Sequence, residues 1–418
     1  MKTTLLETCR IPPPPDSAAA AAELQLPLTF LDIVWIHFQT MHYLLFYEYS
    51  CSESHFSETL IPKLKESLSL TLKHYLPLAG NLLYPLNPDR RKPLIRYVAG
   101  DSISVKIAVS GGNFDELVGN HPRDADQFYD FYKIVPVFAL QVTLFPGRGI
   151  CIGFSNLHSL GDARSIVGFV RAWASMCKLA RESVLSPPIF DRSVINDPLK
   201  IDDIFWKAVG KIPFTPSSFP IPTNRVRATF TLHQSDIKKL KEMVLAKKPD
   251  LGHVSSFVVT ASYIWTTLVK SADHVLSGTC LPTGYLVFVS GTAEIEHGKL
   301  VGEEGLSVAA EYMAEDIKNR INNKDEVLRG VENWMDGSKN HMLDRAVGVS
   351  GSPRFDFCDA DFGWGRARKL EVVSIDGERC SISLCKSNDS EGGLEIGLSM
   401  PKERMDAFAA VFADGLKS

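Results

Sequence analysis

"FSNLHSLGDARSIVGFVRAWA", residues 154–174, decides how the chain is read. It continues an apolar run, GICIGFS (149–155), whose length and composition suit a strand. It then enters a segment, 162–180, in which Ile166, Val167, Val170, Trp173, Ala174 and Cys177 recur at helical spacing. His158 falls just past the strand and Asp162 near the helix start. Upstream, VPVFALQVTL (135–144) is a second apolar strand, and Pro146-Gly147 turns the chain between the two, so they pair antiparallel if the turn is tight. Strands followed by a long amphipathic helix place the chain in the mixed α/β class.

The same reading extends in both directions. Residues 11–22 are Pro-rich and then Ala-rich, an extended lead-in. Leu60, Leu64, Leu68 and Leu72 give a helix over 57–76 with Ser57 as N-cap, stopped by Pro77 and Gly80. Periodicity fades over 181–225, where prolines accumulate, and this is the boundary. The expected organisation is therefore an N-terminal domain, 1–190, a linker, 191–225, and a C-terminal domain, 226–418. The C-terminal domain opens with a strand, 226–232, and a lysine-rich helix, 236–247, capped by Ser235. A helix apolar on most faces follows at 255–270, opened by Ser255 and Ser256. One or two helices lie within 303–335. Short strands at 370–376, 380–386 and 393–399 precede a last helix, 401–415.

Composition excludes several functions. A chain of 418 residues suggests about two domains of roughly 200 residues each. A net charge of −4 with no basic block argues against nucleic acid. The eight cysteines form no CxxC and read as reduced thiols of an intracellular protein. Glu7, Arg10 and four prolines break any signal peptide in MKTTLLETCRIPPPPDS, and no run of about 18 apolar residues exists. A cytoplasmic protein without a membrane span is expected.

Two motifs carry chemistry. His158 and Asp162 form an HxxxD. As a metal pair it lacks a third ligand at suitable spacing, so no metal is expected. As part of a Ser-His-Asp triad it lacks a nucleophile elbow, because GFSNL around Ser155 is not G-x-S-x-G. A lone general base suits histidine, whose unperturbed pKa is about 6.5. Taken alone, so loose a pattern fits a capping or core histidine better. The second motif is DFGWG, Asp361 to Gly365. Its first letters match a kinase DFG, but the chain has no H-R-D loop and no Walker A. Read by itself it is a tight turn that needs Gly363 and Gly365, with Trp364 as a packing anchor.

Taken together, an HxxxD and, about 200 residues later, a DFGWG resemble the BAHD family of plant CoA-dependent acyltransferases. LPLTFLDIVW (26–35), SLSLTLKHYLPLAGNL (67–82), DRSVINDP (191–198), SSFVVTASYIWT (255–266) and LEIGLSMPKERMDAF (394–408) agree, in family order, over nearly the whole chain. The nearest likeness is to the branch that acylates flavonoid and phenolic glucosides, often from malonyl-CoA. The resemblance implies a two-domain fold like chloramphenicol acetyltransferase, with mixed sheets flanked by helices and a channel between the domains. It implies no permanently bound cofactor, acyl-CoA as co-substrate, a glycoside acceptor, and a monomer. His158 would be the general base. Asp162 would orient its loop through a salt bridge, and Trp364 is a candidate oxyanion donor. Arg171 matches an arginine that malonyl-using members set against the free carboxylate. Ser255 and Ser256 would line the CoA side, and Asp361 would be structural.

Two departures stand against this pattern. Residues 271–303 contain neither the family's D-x-R strand end nor its YFGN segment, so the arginine that usually partners Asp361 is missing. GYLVFVSG (284–291) matches either the strand before that gap or the one after it. The loop before YKIVPVFALQ (132–141) is also short. The alternatives to an active acyltransferase are an inactive or truncated paralogue that only binds ligand or partner, and a CoA-thioester hydrolase.

Overall fold

A computed structural model describes residues 3–15, 23–85, 89, 92–125, 127–128, 137–181, 188–212, 224–275, 283–288, 291–322, 346–377 and 381–417. The chain forms two compact units, each assembled from three stretches of sequence. The first comprises Met1–Gly119, Gln127–Ile221 and Phe355–Ser374; the second comprises Asn120–Asp126, Pro222–Arg354 and Ile375–Ser418.

The first unit is built on a six-stranded sheet in the order β1 (Thr3–Ile11), β6 (Ile103–Ser110), β8 (Phe138–Phe145), β9 (Gly149–Asn156), β3 (Met41–Glu48) and β14 (Lys369–Val372). A small sheet of β2 (Leu24–Pro27), β5 (Leu94–Tyr97) and β4 (Asn81–Leu83) accompanies it. β8 and β9 are antiparallel, and their turn uses Gly147 at φ +71°. Every residue of both strands is buried, which is why they read as continuous apolar runs rather than alternating ones. The helix Ala163–Leu179 buries the expected Ile166, Val167, Val170, Trp173, Ala174 and Cys177. Trp173 Nε1 donates to the Leu64 carbonyl at 3.1 Å, tying this helix to the helix Ile61–Leu72.

Several sequence expectations change here. The helical stretch holding Leu60, Leu64, Leu68 and Leu72 starts earlier, at Glu53, because the Ser52 hydroxyl accepts from the His55 N–H; Ser57 lies inside it. The expected linker contains a packed helix, Ile201–Val209, with Ile201, Phe205, Trp206 and Val209 buried. DFGWG does not belong with the C-terminal unit. β14 pairs antiparallel with β3, Tyr47 donates to the Ala360 carbonyl at 2.8 Å, and Phe357 packs on Tyr43 and Phe154 at 5.0 and 5.5 Å. These contacts anchor Phe355–Ser374 in the first unit. β1 was missed because its side chains are mostly exposed and show no alternation.

The second unit is built on a seven-stranded sheet in the order β12 (Gly291–Glu296), β11 (Thr283–Phe288), β13 (Ala346–Ser350), β15 (Ser381–Lys386), β16 (Leu394–Met400), β10 (Val226–Leu232) and β7 (Arg123–Asp124). Its core joins strand residues such as Leu232, Ile382 and Ile396 to the helix Ser256–Val275, whose Val259, Ile264 and Trp265 are fully buried. The helices Gln234–Lys247, Gly305–Asn322 and Lys402–Lys417 pack around that helix, which explains its apolar character on most faces. The lysine-rich helix begins after His233, whose N–H is held by Asp236 at 2.8 Å, rather than after Ser235. Residues 373–376, expected as strand, belong to a 3-10 turn, Val373–Gly377. Among the described residues no helix is long and apolar enough to cross a membrane. Residues 129–131 of the short loop expected before residue 132, the end of the 303–335 helical region, and Cys280 and Cys380 lie outside the described residues.

Candidate active site

β9 ends at Asn156, and His158 opens a 3-10 turn, His158–Leu160, immediately beyond it. The imidazole lies flat against the indole of Trp35, centroids 4.2 Å apart and planes 24° apart. Phe38 meets it edge-on at 5.8 Å. Burial pushes the His158 pKa below the ordinary histidine value, against smaller upward pulls from its own backbone, Asp162 and Asp32. The ring is therefore neutral at physiological pH and able to accept a proton. Among the described residues Nδ1, sealed from solvent, has no partner in hydrogen-bond geometry, which leaves Nε2 as the nitrogen to meet a substrate.

The salt bridge expected to let Asp162 orient this loop is not found among the described residues. Asp162 Oδ1 accepts from the Ser165 N–H at 2.9 Å and the Ser165 hydroxyl at 2.7 Å, and among the described residues no cation pairs with it. It is the N-cap of the helix Ala163–Leu179. The carboxylate thus fixes where the helix begins, and with it the turn that carries His158.

The far half of that helix is held by DFGWG and its neighbours. Lys178 Nζ reaches Asp361 Oδ2 at 2.6 Å, Phe362 packs edge-on to Trp173 at 4.8 Å, and Arg171 lies 3.9 Å from Asp359. Asp361 Oδ1 also accepts from Gly363 N–H at 2.8 Å and Gly365 N–H at 2.9 Å. Desolvation raises its carboxyl pKa, but Lys178 and the two N–H donors outweigh that, and the group sits below its ordinary value. Gly363 and Gly365 adopt φ of +99° and +87°, which glycine takes without strain. The arginine missing from the sequence is thus replaced, as a partner for Asp361, by a lysine of the same unit.

Trp364 does not reach His158. It packs against Tyr47, Tyr49 and Phe362, with centroids 5.4–5.6 Å apart. Tyr47 pairs with Ile150, at the opposite end of β9 from Asn156, about 20 Å away at the usual strand rise. It is a packing anchor, and the oxyanion role expected of it has no support in this placement. Arg171 is exposed on the helix and faces Asp359, which also pairs with Arg366. In the second unit Ser255 caps the helix Ser256–Val275, its hydroxyl accepting from the Val258 N–H at 3.1 Å, and Ser256 is the first helical residue. Among the described residues no cluster of His, Cys, Asp or Glu can hold a metal.

Sequence reasoning missed the aromatic wall. Trp35 and Phe38 follow the short helix Phe30–Ile33, whose start is fixed by Thr29 donating its N–H and hydroxyl to Asp32 Oδ2 at 2.9 and 2.8 Å. Asp32 is buried and lies 3.5 Å from Arg192. The signal was present: LPLTFLDIVW carries a capping pattern, T-x-x-D, followed by an aromatic residue.

Comparison with known proteins places this geometry in a family. The sequence pattern of the Transferase family matches residues 1–291 and 283–414. The two matches share residues 283–291, so TGYLVFVSG answers to two separate places in the pattern. A Salvia splendens protein, malonyl-coenzyme:anthocyanin 5-O-glucoside-6'''-O-malonyltransferase, is 50% identical over 448 residues, covering 98% of this chain and 95% of its own. That alignment is longer than the 418 residues of the chain, so at least 30 of its positions are gaps on this side. The Nicotiana tabacum phenolic glucoside malonyltransferase 1 is 41% identical over 457 residues, covering 99% of both chains. The crystal structure of vinorine synthase has the same fold, with a TM-score of 0.69 at 17% identity, covering 97% of this chain and 96% of that one.

Proposed function

The chain belongs to the Transferase (BAHD) family, and we propose that it transfers a malonyl group from malonyl-CoA to a sugar hydroxyl of a flavonoid or phenolic glucoside. A half-buried His158 just past the end of β9, stacked on Trp35 and with burial pushing its pKa down, is the observation that carries the reading. The sugar hydroxyl is a poor nucleophile at neutral pH. His158 takes its proton as the oxygen attacks the thioester carbonyl carbon. The tetrahedral intermediate then expels the CoA thiolate, which recovers the proton from the imidazolium as free thiol. Help of this kind is worth roughly 10²–10⁴ in rate. Asp162 positions the turn through the helix cap. The full-length likeness to malonyltransferases supports malonyl as the donor, and Arg171, exposed and paired only at 3.9 Å with Asp359, is the residue assigned to the free carboxylate. Acyl-CoA is a co-substrate and no cofactor is bound permanently. We assign the enzyme to the cytoplasm, as a monomer.

The relatives that match the chain end to end are named as transferases, which gives the inactive reading no support despite the shortened 271–303 region. Release of CoA thiol from malonyl-CoA, measured with and without flavonoid and phenolic glucosides, tests the proposal. Acceptor-dependent release that falls at least 100-fold in His158→Ala is expected. Release without acceptor would make the protein a thioester hydrolase, and no release from a folded wild type would return the inactive reading.

A further inference from the structure

General-base catalysis by a histidine creates an imidazolium in the transition state, and something must support that charge. In hydrolytic triads a carboxylate on the far ring nitrogen does so. Here no carboxylate takes that place among the described residues: Asp162 spends Oδ1 on Ser165, and the backbone of His158 itself gives the ring only a smaller upward pull than burial takes away. Among the described residues two aromatic rings pack on the imidazole: Trp35, stacked at 4.2 Å and 24°, and Phe38, edge-on at 5.8 Å. An indole face is the strongest π acceptor for a cation among side chains, and the observed separation lies well inside the range over which the attraction acts.

We infer that Trp35 is a positioning and charge-supporting residue for the acyl transfer: its face fixes the plane of the His158 ring and stabilises the imidazolium that forms as the acceptor loses its proton. The inference rests on His158 being the base. The stack favours the charged ring selectively, because the quadrupole attracts a cation and has little preference for the neutral form. It therefore acts where the transition state differs from the ground state, the only place where binding energy accelerates chemistry. The charges near the ring are Asp32, itself beside Arg192, and Asp162; both carboxylates favour the imidazolium, and neither touches the ring as a hydrogen-bond partner. Trp35 is held for this task by local backbone. Its N–H bonds to the Asp32 carbonyl at 3.1 Å, and Phe38 N–H bonds back to the Trp35 carbonyl at 3.0 Å.

Site-specific replacement of Trp35 by mono-, di- and trifluorotryptophan drains the ring quadrupole while keeping its shape, so folding and packing are preserved. Two quantities are read: kcat for malonyl transfer to a phenolic glucoside, and the His158 pKa from the ring C–H resonance in the absence of substrate. Both are expected to fall stepwise with fluorination, kcat by roughly 2- to 30-fold over the series, the range a stack of this kind supplies. The acid limb of the kcat/KM profile moves down with the pKa. Asp32, Arg192 and Asp162 are unchanged throughout, so the trend reports the indole alone. Flat kcat and flat pKa across the series would overturn the inference and leave Trp35 as packing. If His158→Ala kept full activity, the base assignment itself would fail, whereas loss in His158→Ala with a flat fluorination series would refute only the role of Trp35.

Discussion

Replacing Asp162 separates two ways in which a carboxylate four residues from a catalytic histidine can matter. If it acts as the structure shows, through the cap, Asp162→Ala removes an acceptor from Ser165 N–H and from the Ser165 hydroxyl. Loss of an N-cap costs about 1 kcal/mol, and loss of a negative charge at a helix N-terminus roughly another 0.3–1 kcal/mol. The alanine variant should thus lose about 1.3–2 kcal/mol, and Asp162→Asn, which keeps the cap but not the charge, about 0.3–1 kcal/mol. At 2–4 °C per kcal/mol for a unit of this size, melting falls by roughly 3–8 °C and 1–4 °C respectively. Activity should follow the cap. The His158 turn is tethered to the helix start, so alanine loosens it and lowers kcat, while asparagine and serine retain most of the wild-type rate. Thermal unfolding followed by circular dichroism, with kcat from thiol release on the same samples, reads both quantities. The reasoning is refuted if Asp162→Asn keeps its melting temperature yet loses as much kcat as Asp162→Ala. That result would mean that the charge acts on the imidazole and the cap is incidental.

Three further outcomes follow from buried or strained groups. His42 is fully buried and burial lowers its pKa to about 3, so the unfolded chain binds a proton that the folded protein refuses. Its contribution to stability is present above about pH 6.5 and is lost progressively as the pH falls toward 3, by roughly 3–5 kcal/mol, and His42→Phe should flatten the acid limb of a urea-denaturation series. Arg227 and Asp376 form a buried pair at 2.6 Å, so Arg227→Met, which strands the carboxylate, should cost about 3–5 kcal/mol, while the double change Arg227→Met with Asp376→Leu should recover most of it. Gly365 has φ +87° and open space where a Cβ would stand, so Gly365→Ala should cost about 1 kcal/mol in chemical denaturation, from backbone alone.

The sequence was most legible where periodicity and burial coincide. β8, β9 and the helix Ala163–Leu179 came out within a residue or two, because each puts unbroken or periodic apolar surface into the core. β1 was invisible because its side chains mostly face solvent and its pairing with β6 is made by backbone. The helix Ile201–Val209 was hidden by surrounding prolines, although its own four buried residues have helical spacing. At the site, His158 was legible through its motif, yet the roles of Asp162 and Trp364 were not. A motif states which residues occur together along the chain; it does not say that one caps a helix and another packs at the far end of a strand. Trp35 was missed because nothing in local spacing links it to a histidine more than a hundred positions away.

The return of Phe355–Ser374 to the first sheet also sets a timetable for biosynthesis. β3 gains its neighbour β14 only when residues near 370 leave the ribosome, long after the strands β1 to β9 have emerged. At 5–20 residues per second the wait after residue 221 is about 7–30 s. During it the far half of the His158 helix lacks Asp361 and Phe362, and one edge of the sheet stands open. A nascent chain halted at the end of the linker should therefore be a chaperone client with an unfinished edge strand, and expression of the first 221 residues alone should yield aggregated rather than folded protein. Supplying residues 355–374 as a fused segment is the addition most able to rescue it.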